Sequence, residues 1–273
     1  MKMEKVWAVY WSATGTTEKV VSTMAEEASK RLRLPLEKID FTLPCMREKV
    51  FSFQGTDLVF FGTPTYAGRV PNKVLPFVQS QFAGNGALAV SVVLFGNRSF
   101  DNSLAELASE LESHGFHTVV ASAFVGQHAF SDVLAAGRPA EADLRQAADF
   151  ASQVADKVSS LTALPGPIAV PGDPEAPYYV PKGVDGQSAK FLKAKPKTDP
   201  EKCVSCGLCA SICPMGAIDP ADVSSVPGLC IKCHACIKRC PTHAKYLDDP
   251  AFLSHKAMLE QTFSEPKVNV VIL

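Results

Sequence analysis

Eight of the chain's nine cysteines fall between residues 203 and 240. They form two runs of one spacing. The first is Cys203, Cys206, Cys209 and Cys213, followed by Pro214; the second is Cys230, Cys233, Cys236 and Cys240, followed by Pro241. The pattern C-x2-C-x2-C-x3-C-P recurs at an offset of 27 residues, the mark of one cofactor-binding unit used twice. Crowded cysteines of this kind point to metal ligation before disulfides. Three thiolates at two-residue gaps can wrap one face of a metal–sulfur cube, and a fourth must arrive from elsewhere. Zinc also uses paired C-x2-C, but not a triple run closed by Cys-Pro. Gly207, Ala210, Gly216, Ala217 and Ala235 are small enough to bring backbone N–H groups close to sulfur. His234, between ligands, is expected at the surface or beside a ligand rather than as one.

A second chemistry-bearing stretch is Ser12-Ala13-Thr14-Gly15-Thr16-Thr17. It lies between an apolar run and a helical pattern, where unpaired N–H groups and the helix dipole favour an anion. Its hydroxyls add donors, Gly15 allows a tight turn, and no Lys or Arg is present. Neutral donors alone suit a small monophosphate. Neither the Walker pattern nor G-x-G-x-x-G is present. A hydroxyl-rich helix cap is the competing explanation. Two more loops follow apolar runs, "GTPTYAGRVP" (62–71) and "GNRSFDN" (96–102). His128, in "FVGQHAF", follows a third. Cys45, alone in an apolar setting, reads as a plain buried residue.

These loops need elements to hold them. The runs 6–11, 57–62, 87–96 and 117–126, with a weaker 34–39, suit strands buried on both faces of a parallel sheet. Helical patterns occupy 16–32, 101–114 and 141–160, with Asp101 or Ser103 as the cap of the second and Gly115 as its stop. Five strands alternating with helices predict a doubly wound α/β domain. We divide the chain at 1–163, a Pro/Gly-rich connector at 164–198, the cysteine unit at 199–249 and an extension at 250–273. The connector reads as ordered on the first domain and then looser. Lys190, Lys193, Lys195 and Lys197 read as a solvated linker, with docking onto an acidic cluster domain as the alternative. The extension reads as a short helix and an apolar end, "VNVVIL", that could form an edge strand. With 273 residues, 47% apolar, 20% charged and a net charge of -1, the chain is globular and offers nothing to nucleic acid or an anionic membrane. No apolar run is long enough for membrane insertion, and no signal peptide is evident, so a cytoplasmic location is expected.

The cysteine segment closely resembles the two-cluster bacterial ferredoxins, in which the fourth cysteine of each run ligates the other cluster. That resemblance implies one [4Fe–4S] cluster on Cys203, Cys206, Cys209 and Cys240, and another on Cys230, Cys233, Cys236 and Cys213. The hydroxyl loop resembles the phosphate loop of flavodoxins, and implies the strand order 2-1-3-4-5 with FMN at the carboxyl edge. It assigns the phosphate to Ser12, Ala13, Thr14, Gly15, Thr16 and Thr17. It assigns the flavin ring to Thr63, Pro64, Thr65, Tyr66, Ala67 and Gly68, and to Gly96, Asn97, Arg98 and Phe100. Tyr66 is the stacking candidate. As a whole the chain is similar to flavodoxin–ferredoxin fusions of anaerobes, carried by "GTPTYAGRVPN", "GNRSFDNSLAEL", "GQHAFS", "AAGRPAEADL" and the cysteine repeat. The resemblance implies a soluble electron-transfer protein, working with redox partner proteins in anaerobic metabolism. Two alternatives stay open: a flavin-dependent reductase with His128, Arg98 and Arg69 around a small substrate or quinone, and a flavin-free scaffold or sensor. A homodimer pairing the flavin of one chain with the clusters of the other is a further arrangement.

Overall fold

The computed structural model describes all 273 residues. Five parallel strands form the sheet: β1 (Lys5–Tyr10), β2 (Leu36–Asp40), β3 (Asp57–Pro64), β4 (Leu88–Phe95) and β5 (His117–Val125). Their order is 2-1-3-4-5, as the flavodoxin resemblance implies. Period-two side-chain alternation sorts each strand between two cores. Val6, Ala8, Tyr10, Leu58 and Phe60 face one side, packed with α1 (Thr16–Leu32) and α4 (Glu141–Ser160). Val9, Trp11, Val59 and Phe61 face the other, packed with α2 (Leu75–Gln81) and α3 (Ser103–Ser113). Gly62 lets α1 approach β3, since a Cβ there would stand 2.3 Å from Val21 Cγ2.

The apolar C-terminus becomes an edge strand, β6 (Val270–Ile272), antiparallel to β5 with Val271 opposite Ser122. Before it come α5 (Leu208–Ser211), α6 (Ala235–Lys238) and α7 (Pro250–Thr262). The α5 and α6 turns each open one step into the two cysteine runs, at the left-handed residues Gly207 and His234.

The connector lies on the first domain as expected: Asp173 N–H reaches Asn102 Oδ1 at 2.9 Å, Tyr178 hydroxyl the Val70 carbonyl at 2.8 Å, and Tyr179 N–H the Ala67 carbonyl at 2.8 Å. The stretch beyond is not the looser linker that its composition suggests. Phe191 is buried against Phe252, and Phe130 of the first domain joins them, ring centroids 5.0 Å from Phe252. Of the lysines, Lys195 donates to the Val226 carbonyl (2.6 Å) and Lys197 to Asp248 (2.9 Å), so both lie on the cysteine unit.

Candidate functional site

Because the five strands are parallel, their carboxyl ends and the loops that follow all open on one edge. The hydroxyl loop leaves β1 there. Gly15 caps α1 in the left-handed region at φ 88°. Ser12 is spent on the turn itself: its N–H donates to Thr42 Oγ1 (2.8 Å) and its Oγ accepts from Glu18 N–H (3.1 Å). No side chain caps α1. The N–H groups of Thr16 and Thr17 precede the first helical bond, and neither finds a partner. Thr17 is buried while Thr14 and Thr16 are half-buried. Tyr10 beside Glu18 sits behind the loop; burial, then the Glu18 charge, pushes its phenol upward.

The loops after β3 and β4 touch each other. Thr65 Oγ1 meets Ser103 Oγ at 2.7 Å, and Asn102 N–H donates to the Gly68 carbonyl at 3.0 Å. Gly68 leaves no room for a Cβ against Asp101. Tyr66 stands edge-on to Trp11, centroids 5.9 Å apart, and Phe100 tilts onto Phe95. Thr63 and Trp11 are buried with Oγ1 and Nε1 unpartnered. Pro64 ends β3 half-buried, and Ala67 is exposed.

Several sequence candidates have partners within the fold. The Asn97 side chain is committed to the C-terminal tail: Nδ2 donates to the Phe263 and Glu265 carbonyls (2.6 and 2.9 Å), and Oδ1 accepts from Lys267 N–H (3.0 Å). Arg98 pairs with Asp101 and lies 4.1 Å over the Tyr179 ring. Arg69 is buried against Glu106. His128 packs on Gly96, and its Nδ1 accepts from Phe130 N–H at 3.1 Å. Burial lowers its imidazole to about 4. Arg69 and Arg98 are thus each taken up by a carboxylate, and the Arg98 charge is felt at His128. Cys45 is exposed, not buried: the 3-10 turn Pro44–Glu48 points it outward and turns Arg47 in.

The cysteines stand around two separate cavities. One is lined by Cys213, Cys230, Cys233 and Cys236. The other is lined by Cys203, Cys206, Cys209 and Cys240. The fourth cysteine of each run has crossed to the other run's cavity. Backbone amides already point at sulfur: Ala217 N–H at Cys213 Sγ (3.3 Å), Ala244 N–H at Cys240 Sγ (3.3 Å) and Lys232 N–H at Cys230 Sγ (3.4 Å). Burial pushes the Cys230 and Cys233 thiols up and takes Cys236 to about 12. At Cys240 burial acts the same way, but bonds from Thr242 and from backbone amides outweigh it and lower the thiol. Desolvated thiols become thiolates when a metal supplies the compensating charge. Lys245 is buried between the cavities, its charge felt at both Cys209 and Cys236.

The two units meet through the second run. Cys233 and Ala235 belong to the same apolar cluster as Trp11, with Tyr66, Phe100 and Ile231 packed against it. Burial raises the Tyr66 phenol well above its usual value, and the Cys233 and Cys230 thiols add to this. His234 is buried against Phe130 (4.9 Å) and Phe252 (5.3 Å), not at the surface, with Nε2 unpartnered. Lys238 ties to Asp132 and the Ser131 carbonyl across the same contact. Sequence reasoning missed Arg47, Trp11 and Lys245. Each is a single residue without a spacing signal, and only the packing gives it a role.

Residues 196–219 and 224–246 each match the family of 4Fe-4S binding domains, Fer4. No curated protein matches the chain. Among solved structures, the chain is similar to a flavodoxin from the domain Archaea, at 15% identity over 57% of this chain and 99% of that one, TM-score 0.40. A short-chain flavodoxin associated with a bacterial microcompartment is similar at 18% identity over 59% of this chain and all of that one, TM-score 0.38. A flavodiiron protein from Giardia intestinalis is similar at 16% identity over 58% of this chain and 37% of that one, TM-score 0.37. No helix is long and apolar enough to cross a membrane.

Proposed function

We propose that this chain, which joins a flavodoxin-like α/β domain to a C-terminal 4Fe-4S ferredoxin domain, carries electrons between two [4Fe–4S] clusters and FMN. The carrying observation is the division of eight cysteines between two cavities in crossed sets of four. No three His, Cys, Asp or Glu side chains converge on one point as a single ion demands. Cysteines set around a cavity suit a multi-iron cube rather than zinc. Cys203, Cys206, Cys209 and Cys240 would hold one cluster, and Cys230, Cys233, Cys236 and Cys213 the other.

The hydroxyl loop fits a phosphate monoester. Two unpaired N–H groups at the start of a 17-residue helix, with the Thr14 and Thr16 hydroxyls, offer neutral donors to a dianion. Thr63 through Gly68 would border the ring, and the unpartnered Thr63 Oγ1 and Trp11 Nε1 lie on that side. Asn97 would contribute backbone only. FMN supplies exchange between one-electron and two-electron partners; the protein supplies position and environment. Contact of the Cys233 loop with Trp11 and Tyr66 supports transfer within one chain rather than across a dimer. The reductase reading is weakened, since Arg69 and Arg98 already hold carboxylates. Redox partner proteins, a cytoplasmic location and an anaerobic setting belong to the proposal.

The test is an anaerobic potentiometric titration of the purified protein, followed by EPR and visible absorption together, with iron, sulfide and acid-released flavin assayed on the same sample. Two interacting cluster signals and flavin reduced in separate one-electron steps are expected. A single two-electron flavin wave would move the assignment to a reductase. Clusters without flavin would leave the first domain a scaffold.

A further inference from the structure

The turn Pro44–Glu48 belongs to the first domain but rests on the loop that follows Cys213. A Cβ on Gly216 would lie 3.8 Å from Pro44 Cγ. Arg47 points from this turn into the contact and is 6% exposed. One Nη donates to the Pro214 carbonyl, and the other lies 3.9 Å from Met215 Sδ. The guanidinium sits 4.8 Å over the Phe77 ring, and Nε has no partner. None of the chain's ion pairs includes Arg47.

A buried guanidinium without an anion is costly and is seldom left so. The ionisable groups whose charge it feels are Cys213 and Cys45, and Cys45 is exposed. Pro214 and Met215, which it touches, directly follow Cys213. A four-iron cluster on four thiolates is anionic and gains one further negative charge on reduction. Placed beside Cys213, such a cluster is the counter-ion that Arg47 lacks.

We propose that Arg47 is the buried counter-charge of the cluster held by Cys213, Cys230, Cys233 and Cys236, and that it raises that cluster's potential by favouring the reduced form. The proposal rests on the cluster reading above. The step is the uptake of one electron from an external one-electron donor, with no bond made or broken and no proton moved. The other cations near this cluster come from the cysteine unit and its connector, not from the first domain. Lys245 acts on both cavities, through Cys209 and Cys236. Lys195 and Lys232 act on Cys230; Lys195 is exposed and its charge is screened, while half-buried Lys232 adds a charge from the cluster's own run and stays in place in every Arg47 variant. Arg47 acts on one cluster only, and it does so from the other domain. Docking of the two domains thus sets the potential of the cluster at their contact.

The experiment is an EPR-monitored titration of the full-length protein with dithionite and mediators, comparing wild type with Arg47→Met, Arg47→Gln and Arg47→Lys. In Arg47→Met and Arg47→Gln one cluster signal moves to lower potential while the other stays. Arg47→Lys returns most of that shift. The Gln variant keeps a donor for the Pro214 carbonyl, so it separates charge from packing if the Met variant loses iron. Both potentials unchanged with both clusters present, or both shifted equally, would overturn the proposal. Wild type without four-iron signals would overturn the cluster reading itself.

Discussion

Replacing Arg69 with Met tests whether the loop after β3 is held by a buried ion pair or faces a substrate. The Arg69 and Glu106 side chains are 10% and 1% exposed. Glu106 also accepts from Val70 N–H at 2.7 Å, while Arg69 donates to the Pro174 carbonyl at 2.6 Å and lies 5.3 Å over Tyr178. One guanidinium therefore neutralises a carboxylate and fastens the connector. Arg69→Met leaves Glu106 charged and buried. Breaking such a pair costs about 3–5 kcal/mol, which for a domain of this size corresponds to a fall of roughly 6–20 °C in midpoint. Replacing both partners, as Arg69→Met with Glu106→Leu, removes the stranded charge and should recover most of the loss. Thermal unfolding by circular dichroism reads the first effect, and limited proteolysis of 164–180 reads the freed connector. If Arg69→Met melts with wild type, or the double variant is as unstable as the single, the buried-pair argument is wrong. Unchanged melting with lost reduction of a small acceptor would return Arg69 to a substrate role.

Three further outcomes are expected. Asn97→Ala removes three hydrogen bonds to the tail at about 2–4 kcal/mol, so amides of β6 should exchange faster while those of β3 keep their protection. His128 is held neutral by burial, its pKa lowered from 6.5 to about 4. The unfolded chain therefore binds the proton first, and stability is complete above pH 6.5 and declines as pH falls towards 4. The loss is at most about 3 kcal/mol; His128→Gln should flatten that part of the unfolding profile, and an unchanged profile would count against burial of the imidazole. Brief alkylation of the intact cluster-loaded protein should modify Cys45, the exposed cysteine outside the two runs. Peptide mapping that finds Cys203 through Cys240 equally modified would contradict their ligation.

The cysteine unit was legible because spacing carries it, and the hydroxyl loop was legible as the open start of a helix. Cysteines at 203, 206, 209 and 213 are constrained by the object they surround, and the hydroxyl loop by the end of a helix. The strands were legible because fully buried parallel strands leave long apolar runs, as in β4; their order came from the resemblance of the hydroxyl loop, not from the runs. The contact between domains was not. It depends on residues such as Phe130, Arg47 and Asn97, whose partners are more than a hundred positions away. Asn97 looked like a ring contact because it follows β4 beside glycine; the tail's carbonyls make it a clamp. Cys45 looked buried because its neighbours are apolar, but a 3-10 turn reverses which side faces in.

The two cysteine runs repeat in sequence yet end in different surroundings, and the first domain causes the difference. Gly207 and His234 occupy equivalent positions with φ of 76° and 61°. Glycine adopts this conformation freely, whereas a side chain there costs roughly 1–2 kcal/mol. The His234 ring offsets that cost by packing on Phe130 and Phe252. Val204 is 65% exposed, while its counterpart Ile231 packs on the core that holds Trp11. Cys206 is exposed and Cys233 buried. Ile231, Cys233 and His234 of the second run thus pack on first-domain residues, where Val204, Cys206 and Gly207 of the first do not. On the proposed reading, the run that keeps glycine and an open surface meets partner proteins. The run that trades glycine for an aromatic contact would pass electrons inward, because Cys233 lies in the same buried apolar cluster as Trp11, with Tyr66 packed against it.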